Sequence, residues 1–309
     1  MSRKQHVIIS VLVILLVICV FILNYTVFLS FNKEQTAPIV IPAPMGVLES
    51  PSYAEATAKI NFSNEQVDQS VIRANAEPEI YIDFSNTDKG IVNIKITGVD
   101  DKKLCVSLIP VDVEGKSEMV RQYKEGYYPL IFGSNEYELV VFAEKTDGML
   151  IQVYKTRFDA EFDQVDAYRY SNVYSCFDDD SALAAKAYEL TYGAKNDAEK
   201  AEIIANYIMR TVKYSDSVFD ETNENLADVD SYYERGAGVC YHFAALFSGM
   251  MKSIGIPTRE VRGELVGYKD VHSWNEYYCA ESDSWIEIDA RIKNGKYGYE
   301  FRKDPYSER

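Results

Sequence analysis

The sequence predicts an α+β fold, helices packed on an antiparallel sheet, preceded by a small all-β sandwich-like module and an N-terminal transmembrane helix. Three observations carry this reading: an apolar opening segment, short β-rich runs through the middle of the chain, and Ala/Leu-rich helical runs that give way to strand-like runs beyond residue 270. The 309 residues, 47% of them hydrophobic, suffice for one large or two modest packed cores.

The opening segment, Val7 to Leu23, is almost unbroken Val, Ile, Leu, Phe and Cys. At about 1.5 Å per residue it can cross a hydrocarbon layer of about 30 Å. Arg3 and Lys4 would also suit a signal peptide, but no small-residue cleavage pattern follows, which favours an uncleaved anchor over residues 1–31. The same two cations place the N-terminus in the cytoplasm and the remainder outside the cell, single-pass. Residues 32–77, with Pro38, Pro42, Pro44 and Pro51, read as a linker.

Residues 78–163 carry the β-rich runs Ile80 to Phe84, Ile91 to Ile96, Tyr137 to Phe142 and Met149 to Tyr154, with turn signals at Asp88-Lys89-Gly90 and Thr146-Asp147-Gly148. From 164 to 309 helices take over: Ser181 to Tyr192, then Ala198 to Val212, whose start is marked by Asn196 with Glu199 three residues on. The acidic, Tyr-rich stretch Tyr214 to Tyr233 reads as an irregular loop.

A net charge of −16 repels phosphate backbones, so nucleic acid is not an expected partner. Five cysteines are too few for a disulfide scaffold, although a single Cys105 to Cys176 bridge stays open.

Gly236 and Gly238 break regular structure before Cys240, and Ala244, Phe247, Met251 and Ile254 then follow on one helical face, closed by Gly255 and Pro257. Cys240 thus opens a helix, where unpaired N–H groups and the positive dipole end favour a thiolate. A buried structural cysteine is the bland alternative. A base decides between them. Of the three histidines His6 is at the membrane, and His242 lies about 200° around the helix from Cys240, facing surface or loop. His272 remains. Strand parity puts His272, Trp274 and Glu276 on one face, and Trp285, Glu287 and Asp289 on one face of the next strand. In an antiparallel hairpin Asp289 falls opposite the region of His272 and can orient it. Cys279, an odd step from His272, faces away. Cys240, His242, His272 and Cys279 have no recurring zinc spacing, and nothing demands a metal or organic cofactor.

Gly238-Val239-Cys240, Gly255-Ile256-Pro257-Thr258-Arg259, His272-Ser273-Trp274-Asn275-Glu276 and Trp285 to Asp289 together resemble the transglutaminase-like superfamily, bacterial membrane-anchored surface type. The resemblance implies a papain-like core with Cys240 as nucleophile, His272 as base, Asp289 as its partner and Trp274 as a candidate pocket wall. It implies acyl transfer or hydrolysis at peptide or protein amide bonds through a thioester, on a substrate outside the cell. The alternative is a catalytically silent binding or adhesion module of the same fold.

Overall fold

The computed structural model describes residues 40–51, 53, 55–60, 62, 67–74, 76–120, 123–216, 228–265, 271–291 and 301–303; the expected anchor over 1–31 lies outside them. Among the described residues no helix is long and apolar enough to cross a membrane.

The first eight strands are β1 (Ala58–Lys59), β2 (Glu79–Asp83), β3 (Ile91–Thr97), β4 (Leu104–Pro110), β5 (Glu118–Val120), β6 (Gly126–Pro129), β7 (Asn135–Glu144) and β8 (Leu150–Ala160). They form two antiparallel sheets, ordered β1-β2-β3-β6 and β5-β4-β7-β8. One apolar cluster joins them: Ile80, Val92 and Ile94 from the first meet Leu104, Val106, Leu139 and Val141 from the second. Each such burial is worth about 1.5–3 kcal/mol, so β-branched alternation suffices to set which face turns inward. Ile60, Phe62, Val67 and Val71, from the stretch expected as linker, are buried in the same cluster. Isolated apolar residues in a polar segment leave no periodicity to read, yet each fills a site on the sheet.

The second half begins with α1 (Ala182–Thr191) and α2 (Asp197–Thr211). Ser181 caps α1 through its side chain, and Asn196 Oδ1 accepts the Glu199 N–H at 2.8 Å to cap α2. The Glu199 carboxylate reaches back to the Lys195 N–H at 2.7 Å. β9 (Lys213–Tyr214) follows, then α3 (Val229–Arg235), a helix where a loop was expected. Asp228 caps it and Gly236, at φ 61°, ends it in the left-handed conformation that favours glycine. The expectation failed because the buried stripe of α3, Val229 and Tyr232, is too short for periodicity to reveal.

β10 (Ala237–Gly238) pairs parallel with β9 and leads directly into α4 (Cys240–Ser253). Every residue of α4 from Tyr241 to Ser253 is buried, so it is a central helix and not the one-faced amphipathic helix its apolar spacing suggests. Packed around it are α1, α2, α3 and strands β11 (Thr258–Leu265) and β12 (Val271–Cys279). With β13 (Ser284–Ile288) and β14 (Phe301–Lys303) these strands form an antiparallel sheet ordered β13-β12-β11-β14. Asn275 Nδ2 ties β12 to the helix by donating to the Ala244 carbonyl at 3.0 Å, and Tyr277 and Cys279 join the helical core. All four cysteines among the described residues are free, so neither Cys105 and Cys176 nor Cys240 and Cys279 are bridged.

Candidate active site

Cys240 is the first residue of α4, and its own N–H therefore has no intrahelical acceptor. What places it there is the tight junction before it. Gly238 pairs with Tyr214 across β9 and β10, and a Cβ on Gly238 would meet the His242 Cβ at 2.5 Å. His242 is 2% exposed, which corrects the surface or loop-facing orientation expected from helical angle. Its Nδ1 accepts the Val239 N–H at 3.0 Å, doing for α4 what the Glu or Gln at the third helical position of a capping box usually does. Tyr232, from the unforeseen α3, packs edge-on against its ring with centroids 4.3 Å apart. Burial first, then the Arg235 charge, lower its pKa to about 4 and keep the ring neutral.

His272 is 3% exposed on β12, and its Nε2 lies 2.6 Å from Asp289 Oδ2. The register explains the meeting. Asn275 pairs with Ile288, so one further step sets Asp289 opposite Trp274, diagonal to His272 on the same face. Asp289 itself is one residue past the end of β13, and its Oδ1 accepts the Arg291 N–H at 2.7 Å. One carboxylate thereby holds both the imidazole and the turn that follows.

Arg291 was not singled out from the sequence, yet its Nη1 is 3.1 Å from His272 Nδ1. A guanidinium has only donors, so Nδ1 must accept and the ring proton must sit on Nε2, donated to Asp289. The guanidinium carbon is 4.4 Å from the Tyr214 ring centroid. Parity offered the signal: residues 285, 287, 289 and 291 alternate onto one face if the strand direction is continued.

Cys240 is half-buried and hydrogen-bonded to His272. Burial pushes its thiol pKa up, but the His272 hydrogen bond and charge, the Ser273 N–H and the Arg291 charge together outweigh burial and lower it. Burial likewise lowers the His272 pKa, and the Asp289 and Cys240 contacts reverse it to a net rise. Trp274 is 1% exposed, its ring nearly parallel to His272 at 6.1 Å between centroids. Among the described residues no group of three or more His, Cys, Asp and Glu could hold a metal ion.

Thiol, imidazole and carboxylate stand in hydrogen-bonded sequence, the arrangement that a nucleophile, a base and an orienting group require. Residues 184–290 match the family model of the transglutaminase-like superfamily, and the chain carries a transglutaminase-like domain over that span. No curated protein matches the sequence. Among solved structures, a candidate cysteine protease from Cytophaga hutchinsonii is similar over 67% of this chain and 76% of its own, at 15% identity and a TM-score of 0.38. The periplasmic domain of TgpA from Pseudomonas aeruginosa is similar over 62% of this chain and 90% of its own, at 14% identity and a TM-score of 0.32. Red sea bream transglutaminase is similar over 76% of this chain and 52% of its own, at 12% identity and a TM-score of 0.27.

Proposed function

We propose that this chain is a membrane-anchored cysteine enzyme whose transglutaminase-like domain faces outward and acts on amide bonds of peptides or proteins. The single observation behind this is the hydrogen-bonded relay from Cys240 through His272 to Asp289. Membrane attachment and outward orientation are supported by the apolar run Val7 to Leu23 behind Arg3 and Lys4.

In the resting tautomer His272 Nε2–H is donated to Asp289, which leaves Nδ1 as the atom that takes the Cys240 proton. The thiolate attacks the amide carbonyl, forming the S–C bond, while the Cys240 N–H at the start of α4 faces the developing oxyanion. The protonated Nδ1 then delivers its proton to the amine as the C–N bond breaks. Water or a second amine, deprotonated in turn by His272, then attacks the acyl carbon, and the C–S bond breaks to return Cys240 as its thiolate. Trp274 walls the site beside the imidazole.

The test is the rate of Cys240 alkylation by iodoacetamide against pH, with His272→Ala beside it. A fast rate that persists well below the free-thiol pKa of about 8.5, and that the variant loses, is the expected result. An ordinary thiol profile unchanged by His272→Ala would sink the enzyme reading.

A further inference from the structure

We propose that Arg291, braced on Tyr214, is a carboxylate-binding subsite beside Cys240, selecting acyl donors that carry an anionic group next to the scissile amide. The inference rests on the reading of Cys240 as nucleophile and goes beyond it to the substrate class.

Among the described residues three arginines of this domain lie over aromatic rings: Arg235 over Tyr232, with its Nε donating to the Ala237 carbonyl, and Arg259 and Arg291, which differ in one respect. Arg259 has its guanidinium carbon 4.2 Å from the Trp285 centroid, and its Nε and Nη2 donate to Glu276 Oε2 at 2.9 and 2.6 Å. Its carboxylate is supplied by the fold. Arg291 has the same kind of platform, Tyr214 at 4.4 Å, but among the described residues its guanidinium makes no ion pair with a carboxylate. Its backbone N–H is fixed by Asp289, and its Nη1 rests on His272 Nδ1 at 3.1 Å. A guanidinium fork matched to a planar anion is thus anchored beside the nucleophile, with its strongest class of partner not supplied by the described part of the chain.

The resting contact also has a chemical consequence. Nδ1 must accept the Cys240 proton, and an Nδ1 that carries a proton cannot accept from Arg291. The Arg291 contact and the thiolate–imidazolium pair are mutually exclusive. A substrate carboxylate draws the guanidinium away from Nδ1 and frees the base, whereas a neutral substrate offers nothing to compete for it. The net charge of −16 disfavours anions at long range, so binding of a carboxylate here is a local, short-range effect.

Iodoacetate and iodoacetamide separate these terms, because they share a leaving group and differ in a carboxylate. With each, the Cys240 thiolate forms an S–C bond to the methylene carbon as the C–I bond breaks and iodide departs. The two rates are measured at Cys240 in the full chain by peptide mass spectrometry. The expected ratio of iodoacetate to iodoacetamide rates is about tenfold above that of free N-acetylcysteine, lost in Arg291→Gln and partly kept in Arg291→Lys. Arg291→Lys also carries the test if Arg291→Gln melts below wild type. A fast iodoacetamide reaction with a ratio that neither variant moves overturns the carboxylate subsite alone. A slow iodoacetamide reaction, unchanged by His272→Ala, overturns the nucleophile reading and the subsite with it.

Discussion

His242 and His272 are buried to nearly the same degree, at 2% and 3% exposure, and their pKa values move in opposite directions. His242 meets aromatic rings and a backbone N–H, with Arg235 as the nearby charge, and burial wins. His272 meets the Asp289 carboxylate and the Cys240 thiol, and the partners win over burial. Depth in the fold therefore does not decide the direction of a histidine's pKa. A hydrogen-bonded carboxylate raises it at His272, and the same residue type serves as a neutral cap thirty positions earlier in the chain.

The comparison breaks most sharply at Asp289. Asp289→Asn should lower alkylation of Cys240 at neutral pH by about 10²-fold or more, as removal of a base's orienting group does. The raised His272 pKa stabilises the fold fully below the unfolded histidine value of about 6.5, and this is lost as pH rises through the folded value. Asp289→Asn should remove that low-pH contribution, which urea unfolding of both forms on either side of about pH 6.5 would reveal.

The opposite sign is expected at His242. Its folded pKa of about 4 means stability is present above the unfolded value and lost as pH falls from about 6.5 towards about 4, by about 3 kcal/mol in all. His242→Gln keeps an acceptor for the Val239 N–H but cannot titrate. Its urea midpoint should lose that acid slope, and a slope equal to wild type would contradict the assignment.

Lys252 extends the lesson to a cation. It is fully buried at the C-terminal end of α4, its Nζ 2.8 Å from Ser175 Oγ, and burial lowers its pKa to about 8 against the weaker pull of Glu260. A depressed lysine pKa costs stability below about 8 and relieves that cost as pH rises towards about 10.5. Lys252→Met should flatten the alkaline rise, measured by chemical denaturation across that range.

The parts of the site legible in the sequence were those fixed by local period. Helical spacing from Cys240 to Ile254 and strand parity from His272 to Asp289 place three side chains before any packing is known. What escaped was decided by neighbours distant in sequence. Helical angle gave the direction of His242 but not the α3 helix that covers it. Arg291 lies on the continued parity of 285, 287 and 289, but the partners that bring it to the site, His272 and Tyr214, are distant in sequence. The central strand β11 reads Thr-Arg-Glu-Val-Arg-Gly-Glu-Leu, a charged sequence whose Arg259 finds its partner across the sheet on Glu276. Polarity hid a buried element because its compensating charge is supplied by another strand.

The complete burial of α4 bears on how this protein wears out. Amide hydrogens in a helix enclosed on every side exchange only when the surrounding structure opens cooperatively, so the carrier of Cys240 belongs to the slowest-exchanging class of the molecule. Loss of thiol reactivity on heating should then keep pace with global melting and not precede it, giving the Cys240 thiol a reactive lifetime set by the whole-fold unfolding rate.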